Sequence, residues 1–199
     1  MCGNFALYSS VQAIKDYYKL LQEMGEIPPN ENIRPSHNVP VIVIKQGKKY
    51  LGFVRWGLIP FWAKDDKIGY KLFNARSETI DVKPSFKGGF KSRRCLIPAN
   101  GFFEWKKPDK TKFYFELKSR KLFSFAGIWE KWKNPLGEIV PTCTIITCGP
   151  NELISPIHDR MPVILKKEDE ETWLNSSDAQ TLKKLLLPYP ASNMKFTQK

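Results

Sequence analysis

Apolar and polar positions alternate with two different periods along this chain, and the changes of period mark its elements. Phe5-Ala6-Leu7-Tyr8 is a short apolar run that predicts a buried strand carrying the amino terminus inward. Ser9 with Gln12 makes a capping-box pattern, and Val11, Ile14, Tyr18 and Leu21 then recur at helical spacing until Gly25 can end the helix. Residues 26–38, rich in Pro and Asn, read as loop. Val39–Lys45 and Tyr50–Trp56 flank the polar turn Gln46–Lys49, the pattern of a β-hairpin. Gly57–Asp66 is irregular and carries an exposed-looking Pro60-Phe61-Trp62, and residues 74–92 have no clear period.

From Arg94 onward strands dominate: Cys95–Pro98, Phe102–Trp105, Phe113–Leu117, Leu122–Trp132, Val140–Cys148 and Pro162–Leu165. Turn signals separate them at Pro108-Asp109, Asn134-Pro135 and Gly149-Pro150. Two helices close the chain, Lys167–Leu174 and Asp178–Leu187; Ser177 with Gln180 opens the second and Pro188 stops it. The expected fold is α+β, mostly antiparallel strands curled into a barrel-like core with a few peripheral helices. A single domain over residues 2–199 is expected.

Composition narrows the function. A hydrophobic content of 42% with six tryptophans excludes a disordered chain. The 32 Lys and Arg against 20 Asp and Glu give a formal charge of +12, which favours a polyanionic partner, nucleic acid foremost. Cys2, Cys95, Cys143 and Cys148 contain no C-x-x-C, and His37 and His158 are the only histidines, so no metal site is expected. Cys95, Cys143 and Cys148 lie in apolar runs and read as small buried hydrophobes. No leader pattern is present and no apolar run approaches the ~18 residues that span a bilayer. An intracellular, cytoplasmic protein with reduced thiols and no membrane partner is expected.

Cys2 is the first candidate for chemistry. Its small side chain permits removal of Met1, leaving an α-amine and a thiol on adjacent carbons. Such a pair condenses with an aldehyde, first to an imine and then to a five-membered thiazolidine. Reference pKa values of about 7.7–8.0 for the amine and about 8.5 for the thiol leave both partly in reactive form at neutral pH. The competing reading is an exposed, mobile chain end.

Four further segments sit at the edges of apolar runs. In Asn74-Ala75-Arg76-Ser77-Glu78-Thr79, Asn74 suits an amine or oxyanion and Arg76 a phosphate; the alternative is a plain turn. In Gly101-Phe102-Phe103-Glu104-Trp105, burial of Glu104 between aromatics raises its pKa toward acid–base use; the alternative is an outward carboxylate on an alternating strand. His158-Asp159-Arg160 offers a neutral-pH proton carrier and a guanidinium, against a structural histidine. The run Lys83–Arg94 interleaves five cations with Phe86 and Phe90, a pattern that suits a single-stranded backbone with stacked bases; the expectation is that both rings tuck into the core and some of the cations meet DNA.

In order along the chain stand Cys2-Gly3, Arg55-Trp56-Gly57-Leu58-Ile59-Pro60, Asn74–Thr79, Arg94-Cys95-Leu96-Ile97-Pro98-Ala99, Gly101–Trp105 and His158-Asp159-Arg160-Met161-Pro162. Together they resemble the SOS response-associated peptidase (SRAP) family, the abasic-site shield proteins, over roughly residues 2 to 190. The resemblance implies the SRAP fold and a thiazolidine between Cys2 and the ring-opened sugar of an abasic site in single-stranded DNA. Asn74 would hold the terminus and the sugar, Glu104 would move protons in imine formation, and His158 would protonate the ring oxygen. Arg76 and Arg160 would grip flanking phosphates, Pro40 and Trp62 would wedge against bases, and Asn4, Ser77, Glu78 and Ser85 complete the implied DNA contacts. Partners would be single-stranded DNA and single-strand/duplex junctions bearing such lesions, engaged by a monomer without a cofactor, on the nucleoid if the source is bacterial. One departure is Asn4, where the family usually has Arg; a short amide lacks a guanidinium's phosphate contact. Two competing functions remain: a cysteine peptidase using Cys2 with His158 and Asn74, and a non-covalent single-strand binder.

Overall fold

Three consecutive apolar residues form β1 (Phe5–Leu7), which is buried throughout. Tyr8 has already turned outward. The computed structural model describes residues 2–22, 25–119 and 121–199, so the predicted loss of Met1 falls outside the described residues. Helix α1 (Val11–Tyr18) is capped by Ser10, not Ser9: the Ser10 hydroxyl accepts from the Ala13 amide at 3.2 Å. Ser9 is instead held by Asn100, through its amide at 3.0 Å and its hydroxyl at 2.8 Å. The helix stops well before Gly25, because Lys19 turns left-handed at φ 57° and sends its amide back to the last turn. Within the expected loop, β2 (Asn30–Ile33) pairs antiparallel with β1.

The hairpin of β3 (Asn38–Lys45) and β4 (Lys48–Trp56) forms as predicted, in register from Asn38–Arg55 to Lys45–Lys48. The unpatterned stretch 74–92 is ordered as β5 (Asn74–Arg76), a 3₁₀ turn over 77–79, and α2 (Pro84–Ser92). Pro84 opens α2, while Gly88-Gly89 hides its period. Then come β6 (Arg94–Ala99), β7 (Gly101–Lys106), β8 (Thr111–Leu117), β9 (Phe123–Lys133) and β10 (Ile139–Cys148). The expected strand 162–165 is divided: β11 (Met161–Pro162) pairs with β10, and β12 (Ile164–Leu165) pairs with β9. Helices α3 (Glu170–Asn175) and α4 (Ala179–Lys184) follow, α4 capped by the Asp178 carboxylate rather than by Ser177. A last strand, β13 (Met194–Gln198), adds to β8.

The pairings β10–β4, β4–β3, β3–β6, β6–β9 and β9–β10 close on themselves, giving a five-strand barrel. All are antiparallel except β10–β4. The second sheet runs β13-β8-β7-β1-β2. Phe5 fastens the two layers, with its ring edge-on to Trp56 at 5.2 Å and to Phe125 at 5.7 Å. The architecture is the α+β arrangement that the sequence predicts.

After β4 the backbone is anchored through position 63. Ile59 donates its amide to the Thr142 hydroxyl, and Trp132 donates its indole N–H to the Ala63 carbonyl. Phe61 and Trp62 stay outside, 69% and 51% exposed, whereas Pro60 is buried. Gly57 makes this turn at φ +127°, and a β-carbon there would sit 2.7 Å from the Gly69 carbonyl oxygen. Gly57→Ala is expected to cost about 1–3 kcal/mol. At about 2–4 °C per kcal/mol, thermal denaturation reads that directly. An unchanged Tm would contradict this packing account.

Candidate active site at the amino terminus

β1 carries the terminus along β7. Phe5 pairs with Phe102 and Ala6 with Gly101, and the Phe103 amide donates to the Asn4 carbonyl at 2.9 Å. Cys2 is therefore led toward Glu104, and it is fully buried rather than loose at a chain end. Its Sγ lies 3.9 Å from the Asn4 carbonyl. Burial pushes the thiol pKa well above its ordinary value, and the charge of Glu104 adds to the rise. The thiol is thus held protonated at neutral pH, which corrects the expectation of a partly ionised one. Asn4 is buried beside it, donating Nδ2 to Asn32 Oδ1 at 2.7 Å. Its Oδ1 has no partner among the described residues.

Glu104 is 2% exposed, which removes the outward-facing alternative. Desolvation raises its pKa to about 7; the positive amino terminus opposes the rise and Asp159 adds to it. His158 Nε2 stands 3.8 Å from Glu104 Oε2. On the other side of the ring, Nδ1 meets the Arg160 amide at 3.0 Å and the Asp159 carboxylate at 3.0 Å. Burial, more than any other cause, lowers the His158 pKa. At neutral pH the site therefore holds a mostly neutral imidazole facing a carboxyl poised between its two forms, the condition for moving protons in either direction.

The carboxyl end of β10 gathers the other candidates. Asn74 pairs with Ile145, Arg76 with Thr147 and Met161 with Cys148, so the 74–78 and 158–160 segments flank one strand end. Asn74 donates Nδ2 to the Phe73 carbonyl, which also accepts from the Trp56 indole; its own Oδ1 is buried without a partner among the described residues. The Phe5–Trp56–Phe73 ring contacts connect this end to β1. Arg160 forks onto Glu78 at 2.6 and 3.0 Å and donates to the Thr147 carbonyl at 2.6 Å. That pairing lowers the Glu78 pKa. Arg160 Nε remains without a partner among the described residues. Arg76 is exposed and Ser77 half-buried.

The remaining candidates stand on other elements. Pro40 is buried in β3 opposite Phe53, whose ring is half exposed. Trp62 stands out from the anchored turn, and Ser85 is half-buried in the first turn of α2. In the basic run both rings lie in the core, as expected. Phe86 and Phe90 are one helical turn apart and buried, so neither ring can meet a base. Arg94 is buried and donates to the carbonyls of Phe90, Lys91, Trp173 and Ser176, while Arg93 pairs with Glu130. Only Lys83, Lys87 and Lys91 are left exposed on α2 and its cap.

A family model described as SOS response associated peptidase (SRAP) matches residues 1–198. The chain belongs to the SRAP family. Over its whole length it is 50% identical to the abasic site processing protein YoqW of Bacillus subtilis (strain 168), covering 92% of that protein. It is 33% identical to the abasic site processing protein HMCES of Gallus gallus, over 86% of this chain and 61% of that one. The crystal structure of a protein from Bacteroides thetaiotaomicron superposes with a TM-score of 0.92 at 29% identity, covering 99% of this chain and 91% of that one.

In this SRAP chain the site opens into a cleft of about 530 Å³ lined by Glu104, Trp105, Lys106, Lys107, Pro108, Lys110 and His158. Sequence reasoning missed its three lysines, although Lys106-Lys107-Pro108-Asp109-Lys110 directly follows the Gly101–Trp105 motif. The described residues contain no group of three or more His, Cys, Asp and Glu able to hold a metal ion. Among them no helix is long and apolar enough to cross a membrane.

Proposed function

We propose that this protein acts on abasic sites in single-stranded DNA and bonds to them through Cys2 once Met1 is removed. The observation that carries the reading is a buried carboxyl, Glu104, facing His158 beside the strand that delivers Cys2. Relatives named for abasic site processing and the charge of +12 support a DNA substrate.

Abasic deoxyribose is mostly a closed hemiacetal. In its protonated form His158 hands a proton to the ring oxygen as the ring C–O bond breaks, the C1 hydroxyl gives its own proton back to the imidazole through water, and the aldehyde is released at C1. The Cys2 amine attacks that carbon; Glu104 takes a proton from nitrogen and returns one to the departing hydroxyl, so water leaves and an imine forms. The thiol then adds to the imine carbon, forming the C–S bond while its proton passes to nitrogen. Net, aldehyde and aminothiol give thiazolidine and one water. A thiol kept neutral by burial suits this order, since the amine acts first and the sulfur is still protonated when needed.

Asn74, whose buried Oδ1 has no partner among the described residues, aligns the terminus and the sugar, and Arg76 and Arg160 take flanking phosphates. Ser77 and Ser85 add polar contacts, Glu78 keeps Arg160 in place, and the exposed Trp62 stacks on a base. Asn4, in contact with Asn32, orients the terminus instead of supplying a cation. The peptidase reading is disfavoured because a catalytic thiolate needs a depressed pKa, and burial drives this one the other way.

A single-stranded oligonucleotide with one abasic site, incubated with the protein and run on a denaturing gel, tests the proposal. A heat-stable shifted band that needs the lesion is expected. No band, from protein whose mass confirms loss of Met1, would refute it and return attention to peptide substrates. His158→Ala is expected to slow the approach to that band by about 10²-fold, the scale of one acid–base group. A wild-type rate in the variant would remove His158 from ring opening.

A further inference from the structure

The cleft beside Glu104 has a basic wall that the chemistry above does not use. We propose that Lys106, at the end of β7, with Lys107 and Lys110 on the turn to β8, forms a further phosphate-binding subsite for the DNA strand, on a different element from Arg76 and Arg160. This inference rests on the reading of the protein as a DNA-binding one.

Strand geometry supplies the first reason. Side chains two apart on a strand share a face, so Lys106 follows Glu104 on one face of β7, about 7 Å further along. A sugar held at Glu104 thus has a cation within reach of its neighbouring phosphate. The pairing of β7 with β8 runs from Phe102–Phe115 to Lys106–Thr111, which fixes where the turn begins.

Charge supplies the second. Lys106, Lys107 and Lys110 are all exposed, and none forms an ion pair with a described carboxylate. Asp109, the one acid among them, accepts from the Thr111 amide at 3.2 Å. Elsewhere on the surface, cations are often neutralised: Arg160 by Glu78, Arg55 by Asp66, Arg93 by Glu130 and Lys183 by Asp81. The cationic charge of Lys107 also reaches His158 and helps to lower its pKa. These lysines thus line the same cleft as Glu104 and His158, and although the charge of Lys106 reaches Asp109, none of the three is held in an ion pair with a described carboxylate.

The test compares the unmodified chain with Lys106→Gln/Lys107→Gln/Lys110→Gln and with the matching triple Arg variant. Binding to an undamaged single-stranded oligonucleotide is measured across a salt series. The Gln variant is expected to flatten the slope of log K against log salt by about 0.7 for each phosphate that is no longer neutralised, and the Arg variant to restore it. In a second series, each phosphate beside a single abasic site is replaced in turn by a neutral methylphosphonate. One replacement should weaken the unmodified protein and leave the Gln variant unaffected, which a general change of net charge cannot produce. Equal slopes, or equal sensitivity to every replacement, would overturn the subsite. Absence of salt-dependent DNA binding by the unmodified chain would instead overturn the DNA reading on which it stands.

Discussion

Cys2→Ala is expected to reduce the heat-stable product with abasic DNA to background while leaving non-covalent DNA binding within about twofold, since every phosphate contact remains. Alanine is also small enough for Met1 to be removed, so the variant keeps a terminal amine and can still form an imine. What it lacks is the sulfur that closes the ring. An imine returns to aldehyde and amine by adding water, whereas a thiazolidine must first reopen. Borohydride should therefore trap a product with the variant that heating would otherwise destroy. Because Cys2 is fully buried, the substitution also removes packed volume, at a cost of about 1 kcal/mol that leaves the fold intact. A heat-stable band of wild-type intensity from Cys2→Ala would end the thiazolidine account.

Glu104→Gln carries the other large effect. A positioned acid–base group contributes about 10²–10⁴ in rate, so single-turnover crosslinking is expected to fall by at least about 10²-fold. The pH profile adds a signature. With its pKa raised to about 7, Glu104 gains its proton-accepting form as pH rises through neutrality, and the wild-type rate should rise there. That limb should vanish in the glutamine variant. Stability moves the other way. The folded carboxyl binds its proton more tightly than the unfolded one, so folding stability falls as pH rises from the ordinary carboxylate range to about 7. Glu104→Gln removes that loss, about 3 kcal/mol at pH 8, and the Tm difference should shrink below pH 5. A slower variant with no gain in Tm at pH 8 would mean that Glu104 is not held in a desolvated, acid-raised state.

Much of the fold was legible because its strands carry their own pattern. The β3–β4 hairpin has polar turn residues between apolar runs, and β6 to β10 are apolar-rich runs set apart by turn signals. The elements missed lack such a pattern. β2 and β5 are short and polar, and each becomes a strand only because β1 or β10 offers it an edge. In α2 the glycines mask two phenylalanines at helical spacing. The candidate site divides in the same way. Aromatic neighbours pointed to burial of Glu104, but the burial of Cys2 depends on β1 pairing with a strand nearly a hundred residues away. Arg93 and Arg94 read as free cations, since Glu130 and the carbonyls of α3 that occupy them are distant in sequence. Only the folded chain makes the lysines of the β7–β8 turn part of the cleft holding Glu104 and His158.

The most direct test of the central claim is the mass of the amino-terminal peptide from protein joined to an abasic oligonucleotide, digested with nuclease and protease. Cys2, without Met1, is expected to carry the sugar remnant with the loss of one water, and borohydride should leave that mass unchanged. A gain of two hydrogens on reduction would mean an imine without sulfur closure. A remnant on any other residue would contradict the assignment of Cys2 itself.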